Sequence, residues 1–468
     1  VAAARHRWHQ WITAGAAACL AWTGLVAVRP APPRADAATS GRPNVLVILT
    51  DDQRFDTMDV MPKTLRWFAD GTQYDNAYAT IPICAPMRSS IMSGRYQHNH
   101  GVLNNQSAPK YLDQSATVQR YLQDAGYQTA IDGKFLINWP LKKPPPYFDH
   151  YARFNGGYDN VSWNVDGKVA RSTKYVTDFQ SDRAVDFLDD FAKTPDKPWY
   201  MEITPEAPHG PSTPSAQYAN APVPPYKPTP PVTADRSSKP DFIRAQHFSQ
   251  STAESTRDDM LRTLYSVDDM VDRVFQHLSD TGQLDNTLVI YTGDSGWLFS
   301  EYGLRSKSVP YLPSVHVPFY VRWPGHLTAG AVDHRPMELL DIAPSVLDAT
   351  GVHPNLVYPM DGRSIFSSTI RTENLLEYHW SPDFKATPSW AAIRSDAFDY
   401  IEWYQDQAGT VLRAREYYDL TKDPWELDNL LGDSDPSNDP SPATLADLHA
   451  RLARYRVCKG TDGPSACP

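Results

Sequence analysis

Short runs of apolar, β-branched residues alternate along the chain with segments whose apolar positions recur every three or four residues. The run Asn44-Val45-Leu46-Val47-Ile48-Leu49-Thr50 is apolar at consecutive positions, predicting a strand buried on both faces of a parallel sheet. It ends in two carboxylates, Asp51 and Asp52. Tyr127–Ile131, Trp199–Thr204, Leu288–Thr292 and Val317–Arg322 read as further strands. Between them, the spacing predicts helices over Met61–Ala69, Thr117–Asp124, Asp178–Phe191 and Asp341–Ala349. A longer helix carries Met260, Leu264, Val267, Val271, Val274 and Leu278 on one face. Such alternation implies an α/β fold with a mixed, mostly parallel sheet flanked by helices. In such sheets ligands bind beyond the carboxyl ends of the strands. After about Asp361 the pattern shortens to Trp390–Arg394, Phe398–Trp403 and Glu416–Leu420, expected to form a small antiparallel sheet, followed by a helix over Ala443–Tyr455. The expected organisation is an α/β domain over residues 42–360 and a C-terminal subdomain over 361–468.

The N-terminus carries a different pattern. Arg5, His6 and Arg7 precede the apolar run Ile12–Val28, and Ala35-Asp36-Ala37 offers a small-residue cleavage site, so residues 1–37 read as a secretory signal peptide. A membrane anchor is the alternative, but Pro30, Pro32 and Pro33 before the cleavage pattern fit export better. No stable anchor is expected, and the mature protein is expected to be secreted or extracytoplasmic. Export gives the four cysteines meaning. Cys19 lies in the leader, and Cys458 and Cys467 flank a short Gly- and Ser-bearing loop and read as a disulfide staple. Cys84 is left as an odd thiol, which points to function. The net charge of -11 argues against nucleic acid as a partner. An anionic substrate would then be drawn by a few local cations or a metal. The 41 prolines imply long ordered loops, the clearest from Pro211 to about Pro240.

Candidate chemistry gathers at the strand ends. Asp51, Asp52, Asp294 and Ser295 offer hard oxygen ligands suited to Ca²⁺ or Mg²⁺. Cys84 stands between the extended Thr80–Ile83 and a short helix expected over Pro86–Met92, where the helix dipole and Arg88 would prime a thiol for chemistry. Lys134, His209 and Lys307 add cations able to hold a tetrahedral anion. His98 and His100 are expected behind the site or at its rim, and Asp258-Asp259, Asp268-Asp269 and Asp285 on solvated helix faces.

The chain resembles the type I sulfatases of the alkaline-phosphatase superfamily from Asn44 to Cys467. The resemblance rests on Cys84-Ala85-Pro86-Met87-Arg88, on Asn44-to-Asp52, Gly126-Tyr127-Gln128-Thr129 with Gly133-Lys134, Ala207-Pro208-His209 and Tyr291-Thr292-Gly293-Asp294. Gly303-Leu304 leading to Lys307 and Tyr311, and Tyr418-to-Pro424, add to it. Arg95-Tyr96-Gln97-His98-Asn99-His100 and the C-terminal cysteine pair look most like the N-acetylglucosamine-6-sulfatase branch. The resemblance implies an alkaline-phosphatase-like fold and hydrolysis of a sulfated sugar or of an aryl or alkyl sulfate ester. It implies that a formylglycine-generating enzyme oxidises Cys84 to Cα-formylglycine, which attacks sulfur as the hydrate. Asp51, Asp52, Asp294, Ser295 and residue 84 would ligate Ca²⁺, Arg88 would orient the hydrate, and Lys134, His209 and Lys307 would hold sulfate, with His209 or Lys307 protonating the leaving oxygen. Two departures stand out: Ser295 where the family usually has Asn, and Leu136 where many members have His. The rivals are a phosphate or phosphonate ester hydrolase of the same superfamily and a non-catalytic protein that binds sulfated glycans.

Overall fold

A strand with apolar residues on both faces needs a packed layer on each side, and the first strand, β1 (Asn44–Thr50), has both. Leu46 and Ile48 face one buried cluster, while Val45, Val47 and Leu49 face another. The computed structural model describes residues 41–463 and 465–468, so the expected signal peptide and Cys19 lie outside the described residues. With β1, four more strands, β2 (Gln128–Lys134), β3 (His150–Phe154), β4 (Trp199–Thr204) and β5 (Thr287–Gly293), form a parallel core in the spatial order β5-β1-β4-β2-β3. Shorter strands extend the sheet to ten, and Phe319–Arg322 runs antiparallel to β5. The mixed, mostly parallel α/β sheet matches the expectation.

On the Leu46 face lie two long helices, α2 (Val176–Ala192) and α3 (Gln250–Asp280). The expected stripe on α3 is buried throughout, from Met260 to Leu278. The helix begins earlier than its apolar pattern, at Gln250, because its first turns are largely exposed, and Ser249 caps it by accepting from Thr252 N–H at 3.4 Å. Asp268 corrects the expectation of a solvated face. It is buried and accepts hydrogen bonds from Thr64 N and Oγ1, both at 2.7 Å, so it caps the helix Pro62–Trp67, whose own N-cap residue supplies no side-chain bond. Opposite charges meet there: a carboxylate on one helix and the positive end of another.

The Val45 face is covered by a helix buried along its whole length, which has no equal in the apolar pattern, and by the antiparallel sheet near the C-terminus. That sheet has one strand more than expected, Glu373–Tyr378, paired with Ser389–Ser395. Leu376, Trp390, Ile401 and Trp403 join the same cluster as Val47 and Ile290, so the core runs without a break past residue 361. On its far side the sheet carries the last helix, Pro442–Tyr455, through Leu448 and Leu452. Cys458 and Cys467 form the expected disulfide, and among the described residues Cys84 is the free cysteine, and it is buried. Among the described residues no helix is long and apolar enough to cross a membrane.

Strand β2 runs three residues beyond the expected Ile131 and places Asp132, Gly133 and Lys134 inside the sheet. Gly133 adopts φ 124°, and a Cβ there would meet Thr204 O at 2.2 Å, so only glycine lets β2 approach β4 this closely. The neighbouring Asp132 is fully buried, and neither of its carboxylate oxygens has a hydrogen-bond partner among the described residues. Burial pushes its carboxyl well above the usual carboxylate range; Arg183 of α2 opposes this and Asp186 adds to it. A carboxyl with a raised folded pKa binds its proton more tightly folded than unfolded, so it lowers stability as pH rises above the unfolded value. Asp132→Asn is therefore expected to raise the melting temperature at pH 8 by about 2 °C and to leave it unchanged near pH 3. Thermal denaturation followed by circular dichroism at both pH values tests this, and an equal shift at both would contradict it.

Candidate active site

Register brings the chemistry together. β1 and β5 pair from Asn44↔Thr287 to Thr50↔Gly293, so they end side by side and Asp51-Asp52 emerges next to Asp294. Asp294 N–H donates to Thr50 O at 3.0 Å and Asp51 N–H to Ala207 O at 3.3 Å, which draws in the loop after β4. Asp52 takes the left-handed φ of 64°, unusual for a residue other than glycine, with its N–H donating to Asp294 Oδ1 at 3.1 Å. That contact holds the turn in a conformation that would otherwise be disfavoured.

The helix that carries Cys84, α1 (Cys84–Ser93), begins two residues before the expected Pro86. Pro86 still falls in the first turn, where a missing N–H costs no helical bond. No side chain caps α1 from Ile83; instead Asn105 Oδ1 accepts from Ala85 N–H at 3.1 Å. The helix stops at Gly94 in the left-handed conformation. Its buried hydroxyls bond back along the helix, Ser89 Oγ to Ala85 O at 2.8 Å and Ser93 Oγ to Ser89 O at 2.7 Å, which lets a polar segment sit in the core.

All nine sequence-predicted residues meet at this edge. Cys84 Sγ donates to Asp51 Oδ1 at 3.2 Å and lies 2.8 Å from Lys307 Nζ. Arg88 Nε donates to Asp294 Oδ2 at 2.9 Å, Nη2 to Asp51 Oδ2 at 3.2 Å and Nη1 to Lys134 O at 3.1 Å. Lys134 Nζ pairs with Asp51, and Lys307 Nζ with Asp52. Ser295 Oγ donates to Asp52 Oδ1 at 2.9 Å. His209 is the half-exposed member, with Nε2 3.7 Å from Asp52 Oδ2 and Tyr158 OH donating to its carbonyl at 2.6 Å. Tyr291 OH and Thr50 Oγ1 fix Gln53 Oε1 just behind, at 2.6 and 2.7 Å.

The electrostatics follow from burial. Burial works to raise the Asp51 pKa, but Lys134, His209, Arg88 and Lys307 together hold its carboxylate well below the usual range. For Asp294, burial and the Asp51 charge win over Arg88 and Lys307, and its pKa rises. Carboxylate oxygens of Asp51, Asp52 and Asp294 and the Cys84 sulfur all lie within 4.8 Å of one another, and buried Asp52 Oδ2 has no hydrogen-bond partner among the described residues. Crowded hard oxygens with an orphaned carboxylate atom fit a divalent cation such as Ca²⁺ or Mg²⁺.

One expectation changes. The helix start and Arg88 do not prime the thiol: burial and the Asp51 carboxylate push Cys84 well above the usual thiol range, against Lys307. Of the two places expected for His98 and His100, behind the site or at its rim, the structure gives the first. His98 bridges Glu377 at 2.6 Å and Cys458 O at 3.1 Å, tying α1's following turn to the C-terminal sheet and the disulfide. His100 lies 2.9 Å from Ser90 Oγ, and burial, with Arg95 and His98, lowers its pKa to about 3, so its ring is neutral. Glu206 and Asn105 were assigned no role from the sequence. Glu206 follows the end of β4, and the strand-end rule that singled out Asp51 and Asp294 could have found it; Asn105 reaches the site from a loop, with no local signal.

A buried multi-carboxylate cluster ringed by arginine, lysines and histidine at the carboxyl edge of a parallel sheet offers oxygen ligands to a divalent cation and positive charge to an anion. The "Sulfatase" family model matches residues 43–352, and an "N-sulphoglucosamine sulphohydrolase, C-terminal" model matches 300–457. The chain belongs to the sulfatase family. It is 32% identical over 380 residues to the extracellular sulfatase SULF-1 homolog of Drosophila melanogaster, covering 75% of this chain and 33% of that protein. With the putative extracellular sulfatase of Caenorhabditis elegans it shares 33% identity over 354 residues, 69% of this chain and 48% of that protein, so it spans only a third to a half of these two relatives. Human N-acetylglucosamine-6-sulfatase is 28% identical over 490 residues, covering 91% of this chain and 86% of that one. The fold matches a solved structure described as a complex with its substrate D-glucosamine-2-N,6-O-disulfate, with TM-score 0.78, 23% identity and coverage of 88% and 97%. It also matches the phosphonate monoester hydrolase of Agrobacterium radiobacter, with TM-score 0.70, 20% identity and coverage of 89% and 96%.

Two outcomes are expected here. In protein left unconverted, iodoacetamide at pH 8 labels native Cys84 at least about tenfold more slowly than the unfolded chain; equal rates, read by mass spectrometry, would restore the primed thiol. Ser295→Asn, whose amide oxygen reaches further than a hydroxyl, binds Ca²⁺ about tenfold more tightly by calorimetry, a change typical of groups bordering a metal. Unchanged affinity would place position 295 off the ion.

Proposed function

We propose that the protein hydrolyses sulfate esters of a sulfated sugar and releases inorganic sulfate, acting as an exported enzyme after a formylglycine-generating enzyme has oxidised Cys84. The observation that carries this reading is the position of Cys84, in a chain of the sulfatase family, between the Asp51-Asp52-Asp294 cluster and the cations Arg88, Lys134, His209 and Lys307. A buried neutral thiol is a poor nucleophile, and the hydrated aldehyde of formylglycine supplies an oxygen in its place. Asp51, Asp52, Asp294, Ser295 and residue 84 would hold Ca²⁺, with Mg²⁺ the alternative, and a bound ion would offset charge on the sulfate oxygens.

The chain's own groups do the rest. Arg88, locked between Asp51 and Asp294, orients residue 84 and cannot lose its charge. Lys134 and Lys307, both buried and both kept charged by the carboxylates around them against the effect of burial, draw in the sulfate oxygens. His209 is the member nearest solvent, where the alcohol part of the ester must lie, so it is the acid that protonates the leaving oxygen. A sulfated glucosamine is the favoured substrate: human N-acetylglucosamine-6-sulfatase aligns with most of the chain, and the D-glucosamine-2-N,6-O-disulfate complex has the same fold. The similar fold of a phosphonate monoester hydrolase keeps a second ester class in view.

Protein from a host with the maturation enzyme is expected to release sulfate from N-acetylglucosamine 6-sulfate, to lose activity on chelation and regain it with Ca²⁺. Cys84→Ala should lose at least about a thousandfold in kcat, as loss of a nucleophile does. The tryptic peptide Trp67–Arg88 should be lighter by the exchange of a sulfur and two hydrogens for one oxygen. Faster turnover of aryl phosphonates than of aryl sulfates would move the assignment to the second class. Tight binding of sulfated glycan by converted protein, with no sulfate released, would leave a binding protein.

A further inference from the structure

We propose that Glu206 is a positioning residue that holds the His209 ring so that Nε2 faces the leaving oxygen; this rests on the ester-hydrolase reading above. Glu206 is buried on the loop after β4, three residues before His209, and its backbone carbonyl accepts from His209 N–H at 2.9 Å. Its carboxylate lies between the two cations on this side of the site, with Oε1 3.5 Å from His209 Nδ1 and Oε2 3.5 Å from Lys134 Nζ.

His209 Nδ1 and Glu206 Oε2 are both buried, and neither has a hydrogen-bond partner among the described residues. Buried polar atoms are nearly always satisfied, and such contacts in ligand-free enzymes are often long and tighten around the substrate. A small rotation of the ring or the carboxylate pairs the two groups. The opposite edge of the ring then remains turned to the site, with Nε2 3.7 Å from Asp52 Oδ2. Tyr158, by donating to the His209 carbonyl, fixes the backbone about which the ring turns.

An Nδ1–H directed at Glu206 fixes the tautomer and leaves Nε2 as the nitrogen that exchanges a proton with substrate. In the step assisted, the sulfuryl group passes to the attacking alkoxide oxygen of the hydrate and the S–O bond to the alcohol breaks, its electron pair staying on the departing oxygen. An O–H bond forms there with the Nε2 proton, and the ring is left neutral with its remaining proton on Nδ1. Acid assistance matters most for a poor leaving group, so loss of positioning should depend on the ester and not fall evenly on all substrates.

The experiment uses converted, Ca²⁺-loaded protein with aryl sulfates from 4-nitrophenyl sulfate, a good leaving group, to phenyl sulfate, a poor one. Glu206→Ala is expected to lower kcat on phenyl sulfate by about a hundredfold, the lower range of general-acid contributions, and on 4-nitrophenyl sulfate by less than about tenfold, with KM little changed. Glu206→Gln, whose amide oxygen still accepts from Nδ1–H, should lie between parent and alanine variant, and decides the matter if the alanine variant does not fold. Equal losses across the series, or a change confined to KM, would overturn the proposal; the second result would assign Glu206 to Lys134 and anion binding instead. A parent protein that hydrolyses no sulfate ester overturns the underlying reading, and is told apart from failure of this one because the parent itself is then silent.

Discussion

The site depends on keeping three carboxylates and three permanent cations in a dry interior. Charges taken out of water are costly unless they are closely paired, and removing one member of a buried set leaves the others uncompensated. Asp51 meets this requirement by contacting Arg88, Lys134 and the Cys84 thiol at once, while Asp52 and Asp294 share Lys307 and Arg88. The balance is uneven: the Asp294 carboxyl is raised and Asp52 Oδ2 has no hydrogen-bond partner among the described residues, as expected of a cluster arranged for a further positive charge.

That constraint reaches into the scaffold. Arg88 can serve the carboxylates only because α1 is buried along its length, and α1 can be buried because its hydroxyls bond back to its own carbonyls. Behind α1, the turn bearing His98, Asn99 and His100 is pinned to the C-terminal sheet and the disulfide loop through Glu377, Cys458 O and Asp361. The C-terminal sheet and the disulfide loop thus support the helix that carries residue 84.

On the open side, His209 and the loop following it meet solvent, with Glu206 buried beneath them. Residues on loops set by a rigid sheet edge are where relatives of one fold diverge in substrate.

Most core strands, the helix periodicity and the disulfide were legible in the sequence because each has a local signal: consecutive β-branched residues, apolar spacing, paired cysteines; the nine candidate site positions were found from acids at strand ends together with the family resemblance. Local signals could not give the roles that depend on neighbours distant in the chain. Asp268 resembles a solvated helix acid until the N-terminus of Pro62–Trp67 packs on it, and Glu373–Tyr378 becomes a strand by pairing with Ser389–Ser395. The Cys84 thiol is raised, not primed, because burial and Asp51 outweigh the helix start and Lys307. Sequence fixes which groups are available and on which element each rides. Desolvation and the charges brought alongside are properties of the assembled structure, and they decide what those groups can do.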